Sequence, residues 1–277
     1  MTLAEVLRRS TGYLEGKGVL SPRVDAEHLL AKALDVSRIQ LYVEHDRELT
    51  KQELETVREL IGRRAKREPL AYILGEWGFR RLNLRVDRRA LIPRPETEIV
   101  VERCLAVLEG REAPDILDVG TGSGAIALAI ADEQPGSRVT AVDASADALA
   151  LARENAELTG LADRVRFLEH DLRAGLPEGP WDLVASNPPY VEPGELSSLE
   201  PEVREWEPRE ALVGEGMTEA IARSSRETLK VGGCLVLEVG EGTADDVCRL
   251  LAGLGFAHVT PSRDLAGRDR VVEGQWM

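Results

Sequence analysis

The sequence predicts an α/β fold: a mainly parallel sheet covered by helices, preceded by a small all-helical domain and joined to it by a β-hairpin linker. Three changes of pattern carry this. The first 70 or so residues show only helical periodicity, the chain turns to period two after Gly75, and beyond that strand-length apolar runs alternate with helical stretches. That last alternation is how a chain builds parallel strands with crossover helices. The boundaries drawn from the pattern are 1–73 for the helical domain, 74–92 for the hairpin and 93–277 for the α/β domain.

Within the helical domain, Ala26, Leu29, Leu30, Ala33 and Leu34 fall on one face of a helix, with Ser21 as its N-cap and Pro22 at its first position. Thr50 and Glu53 form a capping box ahead of a second stripe at Leu54, Val57 and Leu60. In the linker Leu82, Leu84 and Val86 alternate with Asn83 and Arg85, after the punctuation of Gly75 and Gly78. The stretch 63–94 holds ten Lys or Arg against three acids inside an otherwise acidic chain. Such a run is ordinarily a solvated face, and docking of an acidic partner is the functional alternative. Strands are expected at 115–119, 138–142, 165–169, 182–186 and 234–239, with a helix over 146–158. A final pair at 257–260 and 270–273, turning around 264–268, brings the sheet to seven strands.

Composition narrows the function classes. A chain of 277 residues, 43% apolar, can bury a sizeable core in one or two domains. A net charge of -14 disfavours direct binding to nucleic acid, which depends on Lys and Arg displacing counterions from phosphates. Cys104, Cys234 and Cys248 are an odd set without Cys-x-x-Cys spacing, so neither a disulfide framework nor a zinc site is expected and a cytoplasmic setting is. No apolar run approaches the ~18 residues that cross a bilayer. His28, His45, His170 and His258 are scattered, and no metal is expected.

The 115–119 strand runs directly into Gly120-Thr121-Gly122-Ser123-Gly124 and then into an apolar helix. Glycines at a strand-to-helix turn let the backbone come close to a ligand beside the free N–H groups of a helix N-terminus. The next strand ends at Asp143, whose carboxylate can accept both hydroxyls of a ribose. The G-x-G-x-G spacing differs from the G-x-G-x-x-G that makes room for a pyrophosphate, which disfavours a nicotinamide dehydrogenase. It suits S-adenosylmethionine, which has no phosphate. Asp171 and Leu172, after the third strand, are placed to meet an adenine amino group and ring.

The 182–186 strand ends in Asn187-Pro188-Pro189-Tyr190. Two prolines cannot continue a ladder and freeze an extended segment at the ligand face. Such residues suit methylation of an amide nitrogen, whose delocalised lone pair makes it a poor nucleophile. The Asn187 side-chain oxygen and the Pro188 carbonyl can each accept one hydrogen of a substrate NH2, Pro189 stiffens the loop, and Tyr190 stacks over the amide plane. Asn187 is also expected beside the cofactor, chiefly as a neighbour of the methyl being transferred. The alkylated amide is acidic enough to lose its proton to water, so neither a strong base nor a metal is required.

With these motifs in hand, the chain resembles the amino-methyltransferases carrying (Asn/Asp)-Pro-Pro-(Tyr/Phe/Trp), and more closely the HemK/PrmC family of protein-glutamine N5-methyltransferases. The stretches 91–98, 207–212 and 264–270 match that family, as do the helical domain and hairpin. The resemblance implies a Rossmann-like class I methyltransferase domain and a helical domain that recognises the substrate. The implied substrate is the glutamine of the Gly-Gly-Gln loop of class I peptide chain release factors, with Arg94 among the substrate-binding residues. Leu172 departs from members with an aromatic there. Two alternatives remain: a methyltransferase acting on exocyclic amines of DNA or RNA, where a flipped base would stack on Tyr190, and a silent S-adenosylmethionine-binding protein, which would have no need of an intact Asn187 and Tyr190.

Overall fold

The computed structural model describes residues 1–277 and divides them into two compact units, 1–76 with 200–206 and 77–199 with 207–277. The first is helical: α1 (Leu3–Glu15), α2 (Pro22–Leu34), α3 (Arg38–Val43), α4 (Lys51–Ala65) and α5 (Leu70–Leu74). Its core takes Leu3, Val6 and Leu14 from α1, Ala26, Leu29 and Leu30 from α2, and Val57, Leu60 and Ile61 from α4. The capping box of α4 forms as its sequence dictates: the Thr50 hydroxyl accepts from Glu53 N at 3.3 Å while the Glu53 carboxylate accepts from Thr50 N at 2.7 Å. Ser21 stands at the N-cap of α2 with Pro22 at the first helical position, as the sequence indicates, but its backbone (φ -120°, ψ 59°) is not in the extended conformation of the Thr50 cap and its side chain makes no capping hydrogen bond.

The second unit opens with the hairpin β1 (Glu76–Phe79) and β2 (Leu82–Arg85), followed by α6 (Thr97–Val107), β3 (Asp115–Val119), α7 (Ala125–Glu133), β4 (Arg138–Asp143), α8 (Ala146–Leu158), β5 (Val165–Glu169) and β6 (Trp181–Ser186). After the excursion α9 (Pro201–Trp206), which belongs to the first unit, come α10 (Met217–Thr228), β7 (Leu229–Glu238), α11 (Ala244–Leu254), β8 (Phe256–Arg263) and β9 (Asp269–Trp276). The hairpin joins this unit, since Phe79 and Leu84 are buried in its core. Seven strands form one sheet in the order β5-β4-β3-β6-β7-β9-β8, parallel except for β9, which runs antiparallel to β7 and β8. Each expected strand is present. β7, β8 and β9 are longer than expected, and their added ends bring Leu229, Phe256 and Trp276 into or against the core.

Both faces of the sheet are covered, as period-two alternation along each strand requires. Ile116, Val139, Leu183 and Val236 pack under α6 and α7, while Leu117, Val119, Val184 and Leu235 pack under α10 and α11. The chain leaves β3 toward β4 and β5, then returns to form β6 on the other flank of β3. That reversal opens a crevice at the carboxyl ends of β3 and β6. No helix is long and apolar enough to cross a membrane.

The basic stretch is largely neutralised where it stands. Arg80 donates to Glu133 at 2.7 Å from both Nε and Nη2, and Arg85 and Arg89 share Glu154 at 2.8 and 2.6 Å. In the first unit Arg63 pairs with Glu68, while buried Arg64 bridges Asp25 and Glu202 at 2.7 Å each and Arg67 joins Glu202 and Glu200. Arg81 stays open, its side chain 72% exposed and its Nε 3.9 Å from Glu133. The positive run therefore serves chiefly to pin helices and strands together.

Candidate active site

The glycine loop is built from the backbone outward. Gly120, Gly122 and Gly124 have φ of 71°, 57° and 85°, a region that costs other L-residues roughly 1–2 kcal/mol. Gly120 N and Thr121 N both donate to Val142 O at 2.9 Å, which ties the loop to the end of β4. At Gly124 space adds to conformation: a Cβ there would lie 3.1 Å from Leu128 Cδ1 and 3.3 Å from Ala152 Cβ. Asp118 lies beneath the loop, fully buried, and its Oδ2 accepts from the Thr121 hydroxyl at 2.6 Å and Ala127 N at 3.1 Å. Its Oδ1 has no partner, and burial pushes the carboxyl up to about 7.

Asp143 ends β4 with one oxygen accepting from Gly122 N and the other from Ser145 N, each at 2.9 Å. These two bonds aim a half-buried carboxylate at the loop and leave lone pairs on both oxygens. Ser123 is buried, and its carbonyl accepts from Asn155 Nδ2 at 2.9 Å. Asp171 is exposed and accepts from Arg173 N at 2.9 Å; Leu172 is half-buried against the core under α10. The loop and Asp143 therefore converge, whereas Asp171 stands apart with a local partner.

The tetrapeptide emerges from β6 beside that loop, since Val119 of β3 pairs with Ser186 of β6. The Ser186 hydroxyl donates to Val119 O at 2.7 Å and locks the two strand ends together. Beyond it, Val191 pairs with Val213, and a Cβ on Gly214 would fall 2.5 Å from Pro189 Cγ and 2.6 Å from Pro189 O. The extended segment is thus clamped from the side by residues 212–214.

Asn187 Nδ2 donates to Thr97 Oγ1 at 3.2 Å, the Thr97 hydroxyl donates to Glu238 Oε2 at 2.6 Å, and the Tyr190 hydroxyl donates to Glu238 Oε1 at 3.2 Å. Glu238 is 1% exposed, and burial raises its carboxyl against the downward pull of those two hydroxyls. Burial, with Glu238 alongside, pushes the Tyr190 phenol up to about 12, so it keeps its proton at neutral pH. The Tyr190 ring rests against Gly240, where a Cβ would come within 3.3 Å of its Cδ2. Arg94, Glu96, Tyr190, Glu238 and Arg270 line a cavity of about 210 Å³ at this end of the sheet. Arg94 does not stand free: its Nη2 donates to buried Glu207, which also accepts from Ile92 N at 3.1 Å.

Thr97, Glu238, Glu207 and Gly214 were not singled out from sequence. The available signals were the family-matching stretches 91–98 and 207–212, which hold Thr97 and Glu207, and Glu238 itself, a lone acid in the apolar run 234–239 of a buried strand. No group of three His, Cys, Asp or Glu side chains is arranged to hold a metal ion.

With this geometry described, comparison with known proteins is decisive. Residues 5–75 match the family model "PrmC N-terminal domain" and residues 98–200 match "Methyltransferase small domain". A release factor glutamine methyltransferase of Geobacter sulfurreducens is 43% identical, aligned over 99% of this chain and 96% of its own. One from Chlorobaculum tepidum is 42% identical, over 97% and 95%.

The chain belongs to the release factor glutamine methyltransferase family.

Another family member, from Deinococcus radiodurans, is 39% identical over 99% of both chains, so the likeness spans both units. Among solved structures, a 16S rRNA methyltransferase of T. thermophilus in complex with AdoMet and guanosine superposes with a TM-score of 0.54 at 18% identity. It covers 73% of this chain and 50% of that one. An O-methyltransferase of Thermotoga maritima gives 0.52 at 17% identity, with 68% of each chain covered. At such identities the likeness is one of fold.

Proposed function

We propose that this chain transfers the methyl group of S-adenosylmethionine to the side-chain amide nitrogen, N5, of the glutamine in the Gly-Gly-Gln loop of class I peptide chain release factors. The observation that carries the reading is the clamped segment Asn187-Pro188-Pro189-Tyr190, set beside the Gly120–Gly124 turn where β3 and β6 end. The relatives' shared name, at about 40% identity over the full length, supplies the substrate.

The residues divide the work. Gly120, Thr121, Gly122, Ser123 and Gly124 give a bound methionine moiety a close backbone approach, and Asp143 takes the ribose hydroxyls with the lone pairs left on its two oxygens. S-adenosylmethionine supplies a methyl on a sulfonium sulfur. Asn187 Oδ1 and the Pro188 carbonyl accept the two hydrogens of the glutamine NH2, holding nitrogen in line with that methyl and favouring the positive charge that grows on it. Tyr190 covers the amide plane. Positioning contributes most, since oriented reactants reach effective molarities of ~10⁵ M or more. The product amide then yields its extra proton to water. Asp171, Leu172 and Arg94 are assigned lesser parts, because Asp171 and Arg94 already hold partners within the chain.

The helical unit, 1–73 in the sequence division, is assigned to recognition of the release factor. The deciding experiment offers labelled S-adenosylmethionine with a purified release factor, the same factor with the Gly-Gly-Gln glutamine changed to alanine, and total RNA. Label on the intact factor alone is expected; label on RNA alone would overturn the reading. Asn187→Ala should abolish turnover while sparing S-adenosylmethionine binding.

A further inference from the structure

We infer that Thr97 and Glu238 are positioning residues that fix which end of the Asn187 amide meets the substrate. The inference rests on the amide methylation proposed above and adds two residues, from α6 and β7, that touch neither reacting group. The two ends of an asparagine amide have nearly the same shape, and half a turn about the last side-chain bond exchanges an acceptor for a donor pair. A substrate NH2 offers only hydrogens. An Asn187 that presented its own NH2 would set donor against donor and lose the very contact it is there to make.

The hydrogen-bonded chain resolves this. Glu238 accepts on both of its oxygens, from the Thr97 hydroxyl at 2.6 Å and from the Tyr190 hydroxyl at 3.2 Å, so the single hydrogen of Thr97 is committed to Oε2. Thr97 Oγ1 can then only accept from its other neighbour. That neighbour is Asn187 at 3.2 Å, and the end it must turn toward Thr97 is Nδ2. Oδ1 is left as the end available to the substrate. The same carboxylate takes the Tyr190 hydroxyl on its other oxygen at 3.2 Å, so Glu238 holds Tyr190 directly and Asn187 through Thr97. Thr97 is 4% exposed and Glu238 1%, so water does not substitute for either partner. Arg270, lining the same cavity, lowers the Glu238 carboxyl through its charge, against the burial that raises it. A lone acid in the buried strand β7, with two hydroxyls converging on it, is costly unless it performs such a task.

The test separates orientation from folding. Thr97→Val keeps the shape and removes the hydroxyl; Thr97→Ser keeps the hydroxyl and loses a methyl. Glu238→Gln keeps the shape but can donate to Thr97, which frees the Thr97 hydrogen to seize Asn187 Oδ1 and reverse the amide. We expect Thr97→Val to lower kcat at least ~10-fold and Glu238→Gln on the order of 10²-fold, the range that misplaced reacting groups cost. The Kd for S-adenosylmethionine, measured by calorimetry, should stay within about twofold for both, and Thr97→Ser should recover most of the lost kcat. If Thr97→Val fails to bind S-adenosylmethionine, Glu238→Gln and Thr97→Ser decide alone. A Glu238→Gln enzyme at full kcat, or a Thr97→Ser enzyme far below the unchanged protein, overturns the inference. The function reading fails differently, through an unchanged protein that leaves the release factor unlabelled.

Discussion

Asp118 offers a pH dependence that follows chiefly from burial, with the charge of Asp143 adding to it. Its carboxyl, ordinarily near 3.8, rises to about 7 because the fully buried side chain has only the Thr121 hydroxyl and Ala127 N to replace its water. The folded chain therefore holds a proton that the unfolded chain releases. Stability from this group is complete below about 4, falls as pH rises toward 7, and is flat above it. The difference between 3.8 and about 7 is worth about 4 kcal/mol at 1.36 kcal/mol per pH unit, an upper figure for a group that relaxes at all. Asp118→Asn is nearly isosteric and cannot ionise, so it should erase that slope. The assay is urea unfolding from pH 4.5 to 8, followed by tryptophan fluorescence. Three of the four tryptophans, Trp77, Trp181 and Trp276, lie in the second unit with Asp118. The stability of the unchanged protein minus that of the variant should fall by a few kcal/mol from pH 4.5 to 7 and then level. Two parallel curves would refute the reasoning.

Gly124→Ala should cost roughly 1–2 kcal/mol from its left-handed backbone, with a further loss where its Cβ would lie 3.1 Å from Leu128, and should weaken S-adenosylmethionine binding in calorimetry. Gly214→Ala places a Cβ 2.5 Å from Pro189 Cγ; the displaced segment should lower kcat on the order of 10²-fold with the S-adenosylmethionine Kd nearly unchanged. Arg64→Met strands Asp25 and half of the Glu202 pairing in the helical unit, and should destabilise that unit by about 3–5 kcal/mol, read by denaturation of the full chain with Trp206 as reporter.

Some features were decided by local rules. The strands 115–119 and 165–169 and the helix 146–158 appear with the bounds their periodicity gives, and the capping box at Thr50 and Glu53 forms because both partners lie within one turn. Gly120, Gly122 and Gly124 declared themselves because a strand-to-helix turn at positive φ tolerates little else. Asn187 to Tyr190 did so because paired prolines end a strand wherever they occur. Other features needed the fold. Ser21 takes the N-cap position without a side-chain capping bond, and the arginines of 63–94 read as a free basic face but pair with Glu133, Glu154, Glu68 and Glu202.

The sequence by itself determined the order of elements, the glycine turn, Asp143 and the tetrapeptide, because each rests on the conformational limits of a few consecutive residues. Only the tertiary structure decided what surrounds them. Thr97 and Glu238 lie 141 positions apart and meet because β6 and β7 are neighbours and α6 packs on both; Glu207 reaches back 113 positions to Arg94. Hydrogen bonds of that separation depend on sheet order and helix packing, which are set by the burial of whole apolar faces and leave no mark on any short stretch of chain.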